Sequence, residues 1–202
     1  MLKQNFARYL RLISGLYLFG AGIAFMVVAG IGISPWDVLG QGLSKQLHLS
    51  FGVATLIISF IVLLGWIPIK KRPMIGTLAN AVLVGLFADT VFPLVPKTSV
   101  YPLQLLEFAI GMVILSAATG LYISANLGQG PRDGLMLGTA QKLGMAIWKV
   151  RTGYELLVMS VGWLMGGQVR EGTLIFALFI GILMQTSLKL FKIQQHRPIE
   201  EN

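Results

Sequence analysis

Two segments of this 202-residue chain place a carboxylate two residues after a proline: Ser34-Pro35-Trp36-Asp37 and Gly130-Pro131-Arg132-Asp133. Proline suits the first turn of a helix. Each aspartate therefore falls at the third helical position, beside free backbone amides and the positive end of the helix dipole. Two kinds of chemistry fit that placement. The aspartates can cap a turn, with Ser34-Pro35-Trp36-Asp37 read as a capping box that has aspartate in place of glutamate. Alternatively, the helix starts and their acids can bind a polar solute, a cation or a proton. Arg132 stands where the first segment has Trp36. It reads as a cytoplasmic topology charge or as a site residue that draws anions to the inner mouth. Asn80, Asn126 and Gln129 lie within or at the ends of apolar stretches, where polar groups are expensive and often functional. The candidate binding set is Asp37, Asp133, Arg132, Asn80 and Asn126. Asp89 and Glu107 read as interfacial, near outer helix ends. Glu155 follows Arg151 by four residues, which gives a helical ion pair, with proton coupling as the rival reading.

Other chemistries lack their residues. The chain has no cysteine, so disulfides, thiolate metal sites and cysteine nucleophiles are excluded. His48 and His196 have no acidic or histidine partner at metal-ligand spacing. There is no Walker loop, His-Glu-x-x-His, Gly-x-Ser-x-Gly or dinucleotide fingerprint. The expectation is a protein that is no enzyme, with no cofactor and no metal.

The elements that position these residues are apolar helices. The chain is 55% hydrophobic and 12% charged, with mean hydropathy +0.75, which leaves too few charges to cover a soluble surface. Six stretches have about the length and apolarity needed to span a bilayer, near 12–33, 51–69, 74–93, 103–125, 152–167 and 172–190. The fifth is short and contains Glu155. With the N-terminus inside, thirteen of the sixteen basic residues fall in inner segments; Lys45, Lys97 and Arg170 are the exceptions. That bias predicts a multi-pass membrane protein with both termini, and a tail at 192–202, in the cytoplasm. It also accounts for the net charge of +8 without a nucleic-acid partner. The basic, apolar opening could pass for a signal peptide, but its apolar run is long and has a counterpart later in the chain.

That counterpart is an internal repeat. Between residues 12 and 90, sixteen positions are identical to those 96 residues further on, including Pro35/Pro131, Asp37/Asp133 and Gly76-Thr77-Leu78/Gly172-Thr173-Leu174. Three spans per repeat make the second half enter the membrane from the opposite side, a plan common among secondary transporters. The expected fold is an all-α polytopic membrane protein in a single transmembrane domain, with repeat 1 at about 12–95 and repeat 2 at about 103–191. Each repeat carries a short helix that lies on the surface or re-enters the membrane. Thr77, Ala81 and Gly85, with Thr173, Ala177 and Gly181, recur at a spacing of four. They predict a close-packed seam where the third and sixth spans cross near the two-fold axis.

The paired Gly32-Ile33-Ser34-Pro35-Trp36-Asp37 and Gly128-Gln129-Gly130-Pro131-Arg132-Asp133-Gly134 segments resemble the YczE-type family of bacterial integral membrane proteins, distantly related to the YitT-type group. The likeness runs from about residue 10 to 190. It implies a compact helical inner-membrane protein and brings no settled activity with it. Two functions stand on the residues themselves. One is a small transporter or channel with a polar site between inverted halves, taking an unknown small polar solute or ion. The other is an accessory or scaffold protein that docks a partner protein, or a second copy of itself, on basic loops 70–72 and 130–151. A lipid-handling protein, with a groove open sideways to the bilayer, is a third.

Overall fold

The computed structural model describes residues 2–191, so the expected cytoplasmic tail at 192–202, with His196 in it, lies outside the described residues. Eight α-helices follow in order: α1 Leu2–Ala29, α2 Pro35–Leu47, α3 Phe51–Leu64, α4 Ile75–Val91, α5 Tyr101–Ser124, α6 Pro131–Leu143, α7 Ile147–Leu164 and α8 Glu171–Leu190. Among the described residues there is no strand. α2 and α6 have the same length and lie 96 residues apart, and each starts on its proline.

The glycines before those prolines set the turn. Gly32 and Gly128 have φ of 123° and 124°, a region that side chains with a Cβ rarely enter. Each short helix also ends in a left-handed residue, His48 or Gly144. The two halves are then stitched together at these turns. The amide of Gly76, at the start of α4, donates to Leu127 O at 2.8 Å. The amide of Gly172, at the start of α8, donates to Ile31 O at 2.7 Å.

At the centre α1 and α5 run antiparallel, with Arg8 donating to the carbonyls of Ala125 and Asn126 at the far end of α5. Their backbones touch through glycine: a Cβ on Gly22 would stand 2.7 Å from the Leu115 amide nitrogen, and one on Gly111 2.8 Å from Gly22 O. This corrects the predicted seam. α4 packs on α1 and α3, and α8 on α5, so the close crossing belongs to the first and fourth spans. Thr77, Ala81, Gly85 and Thr173 are buried, but Ala177 and Gly181 are exposed. In lipid, close backbone approach is what draws helices together, and the glycines of α1 and α5 achieve it over a longer contact.

Among the described residues, four helical segments are long and apolar enough to cross a membrane: Asn5–Ala29, Ile75–Leu94, Tyr101–Ser124 and Glu171–Leu190. α2 and α3, bent by 115°, make a fifth if taken as one broken span. Six separate spans were expected. At 14 residues, α3 is about 21 Å long, short of a hydrocarbon core of about 30 Å. α7 carries Lys149, Arg151 and Glu155 in its first half.

Candidate functional site

The starts of α2 and α6 are buried inside the bundle and line one central cavity of about 90 Å³. Ser34, Trp36 and Asp37 form its wall from α2, and Gly130, Arg132 and Asp133 from α6. Ser34 Oγ caps α2 by accepting from the Asp37 amide, and its hydroxyl donates to Asp37 Oδ2 at 2.6 Å. The other carboxylate oxygen, Oδ1, accepts from Arg132 at 3.2 Å. Asp37 therefore holds the Ser34 cap of its own helix and bridges the halves at once. Arg132 also lies over the Trp36 ring, 5.4 Å from its centroid, a cation–π contact that fixes the indole.

Asp133 has a different setting. It sits deep among helices, yet its carboxylate is exposed to the cavity and has no ion pair among the described residues. The Tyr122 hydroxyl lies against it, and Arg132, Arg151 and Lys71 surround it at longer range. Burial holds the Lys71 ammonium, in the loop before α4, below the usual lysine range, an effect that Asp133 opposes. Gly130 gives α6 no side-chain cap. Asn80 reaches over Gly130 from α4 and lines the cavity, as does the Arg151–Glu155 pair at 2.8 Å.

Four of the five proposed binding residues, Asp37, Asp133, Arg132 and Asn80, thus meet in one place. Asn126 does not. It is exposed in a left-handed turn after α5, with φ of 53°, a conformation asparagine tolerates, and there its carbonyl accepts from Arg8. Asp89 is also more than an interfacial charge: its Oδ1 accepts from the Gly52 amide at 2.9 Å and ties α3 to α4.

A family of unknown function, DUF6198, matches residues 6–189. This chain belongs to that family. It is 37% identical over 191 residues to an uncharacterized protein of Haemophilus influenzae, covering 94% of this chain and 87% of the relative. It is 33% identical over 191 residues to the uncharacterized membrane protein YczE of Bacillus subtilis, covering 93% and 88%. A second Bacillus subtilis protein, YyaS, is 28% identical over 187 residues, covering 90% and 92%. These matches make this a YczE-type membrane protein, as the paired Pro-x-Asp segments suggested. No solved structure matches the chain.

Within this DUF6198 member the two ends of the cavity differ. Between α3 and α4, Gly52 and Gly85 are in backbone contact, and a Cβ on Gly85 would stand 2.6 Å from Gly52 O. The residues 96 further on are Trp148 and Gly181. Trp148 is exposed, and a Cβ on Gly181 would meet nothing within 4 Å. α8 leans on α5 instead of α7. The space left holds a second, more open cavity of about 480 Å³, lined by Gln129, Ile147, Gly181 and Gln185 among others. Asp133, Met136, Arg151 and Met184 line both cavities, so the central one adjoins this cleft.

Sequence reasoning missed Trp36, Thr55 and Tyr122 as cavity residues. In the sequence Trp36 stands out only as a member of the capping box and as the counterpart of Arg132. Thr55 and Tyr122 look like ordinary members of apolar helices, and only the folded chain turns them inward. A tyrosine in the last turn of an apolar span is the one available signal, since its hydroxyl must find a partner when buried.

Proposed function

We propose that this protein is a small-solute transporter of the bacterial inner membrane. The observation that carries the reading is the meeting of two short-helix N-termini, each with its aspartate, in one cavity adjoined by a cleft on one side. Broken helices whose N-terminal ends meet at mid-membrane between repeats are a recurring way to build a transport site. The antiparallel pairing of the repeat mates α1 and α5 supports an inverted duplication. On this reading six helical segments cross the bilayer, α3 and α7 being helped across by the re-entrant α2 and α6. Both termini face the cytoplasm. The α7–α8 cleft is the cytoplasmic entrance, and the Gly52–Gly85 contact with the Asp89 tie is the shut outer gate.

Flux of a panel of small polar solutes into proteoliposomes tests the site. An Asp37→Asn, Asp133→Asn double variant is expected to lose transport at least tenfold, and full flux in that variant overturns the assignment. The cysteine-free chain allows a direct topology test with single cysteines at the exposed Leu47 and Leu143. They are expected to label from opposite sides of the membrane. Labelling from one side removes the inverted arrangement.

The scaffold reading draws on one observation. Lys70, Lys71 and Lys142 surround a shallow pocket on the basic loops, with Lys142 donating to Pro68 O at 2.8 Å. A stoichiometric partner that copurifies with the protein and is lost on neutralising Lys149 and Arg151 favours it over transport.

A further inference from the structure

The central cavity has two unmet needs of opposite sense. On the α2 side, Trp36 Nε1 is buried and has no hydrogen-bond partner among the described residues; nor has Thr55 Oγ1 beside it. Both residues are more than nine-tenths buried and line the cavity. An indole N–H is a donor only, so nothing but an acceptor from a ligand or water satisfies it. Arg132, beside Trp36, gives one N–H to Asp37 and keeps further donors. On the α6 side the sense is reversed: Asp133 presents a carboxylate, an acceptor, against the Tyr122 hydroxyl but with no ion pair among the described residues. Elsewhere the wall includes the apolar side chains of Phe19, Val84, Leu115 and Phe176. The lining carries three carboxylates, Asp37, Asp133 and Glu155, against two guanidiniums, Arg132 and Arg151, and Lys71 acts on Asp133 from the loop before α4.

From this we infer that the cavity binds a compact zwitterion with a short apolar body, an amino-acid-like solute. Its carboxylate accepts from Trp36 Nε1 and Arg132, and its ammonium donates to Asp133. A zwitterion supplies both poles and adds no net charge to a desolvated site. Each pole fills a need the protein leaves open, and a ligand lacking one pole leaves a buried polar group unpaired. The inference rests on the transport reading for its site and can fail separately from it.

The test is equilibrium binding to the full chain in detergent, with three matched probes: valine, isovalerate (no amine) and isobutylamine (no carboxylate). Valine is expected to bind at least tenfold more tightly than either single-pole analogue. Asp133→Asn is expected to bring valine and isovalerate to equal affinity, and Trp36→Phe to bring valine closer to isobutylamine. Equal or tighter binding of isovalerate makes the site anionic, and equal or tighter binding of isobutylamine makes it cationic; either overturns the zwitterion. So does the absence of binding by all three to the wild-type chain, which requires no variant to fold. Uptake of isovalerate or isobutylamine alone into proteoliposomes would keep the transporter and discard the ligand class. Tight valine binding with no uptake or exchange would do the reverse.

Discussion

Gly85 and Gly181 are repeat mates with opposite surroundings, so one substitution at both positions reads the asymmetry of the bundle. In Gly85→Ala the new methyl stands 2.6 Å from Gly52 O and 2.9 Å from Gly52 Cα. Ordinary contact needs α3 and α4 to part by roughly 0.8 Å, a gap that forfeits a quarter to a half of each dispersion contact along the seam. Overpacking of this kind costs about 1–3 kcal/mol. Stretching the 2.9 Å bond from the Gly52 amide to Asp89 costs about 0.5–1.5 kcal/mol more. The gain in helix propensity from glycine to alanine returns at most about 1 kcal/mol. The net loss is about 2 kcal/mol. In Gly181→Ala the methyl meets nothing within 4 Å, and only the propensity gain remains. The variants are thus expected to differ by about 3 kcal/mol, roughly 6–12 °C in thermal midpoint for a chain of this size. Thermal unfolding of both variants in one detergent measures the difference. Equal destabilisation by the two would mean that α7 and α8 close as tightly as α3 and α4, and the argument for a one-sided entrance would fall.

Other positions carry comparable consequences. Arg132→Ala strands the buried Asp37 carboxylate and is expected to cost about 3–5 kcal/mol; Arg132→Ala with Asp37→Ser should recover most of it, and additive losses in the unfolding cycle would show the pair is not coupled. Gly32→Ala combines φ of 123° with a Cβ 2.7 Å from the Thr173 amide nitrogen. It is expected to lower folded yield severely, while Gly144→Ala, also at positive φ but with open space around it, costs about 1–2 kcal/mol; similar yields for the two would refute the close approach of the halves at Gly32. Trp66→Phe removes the buried bond from Nε1 to Pro131 O at 3.0 Å and should cost about 1–3 kcal/mol more than Trp36→Phe, which trims a buried indole of the same size but breaks no hydrogen bond among the described residues. Comparable losses at both tryptophans would contradict the unpaired indole on which the ligand class depends.

The closed α3–α4 side and the open α7–α8 side come from one duplicated pattern. Gly52 has no glycine mate, because Trp148 stands at the matching position. Asp89, which ties the closed side, is matched by Gln185, which lines the open cavity. A repeated sequence places the helices alike, and a few unmatched side chains decide which of them come into contact.

The sequence by itself determined what is local in the backbone. Proline at 35 and 131 fixed where the short helices begin, glycine at 32 and 128 permitted the turns before them, and the 96-residue offset foretold that the two would match. It also put Asp37, Asp133, Arg132 and Asn80 on one short list, because charged and amide groups in apolar helices stand out. Only the tertiary structure decided that these four share a cavity while Asn126 stays outside it. It moved the glycine crossing to Gly22 and Gly111, away from Ala177 and Gly181, and left the Trp36 indole N–H without a hydrogen-bond partner among the described residues. The physical reason is range. Turns and helix starts depend on a few neighbouring dihedrals, whereas helix contacts and cavity walls depend on how segments about a hundred residues apart settle against one another.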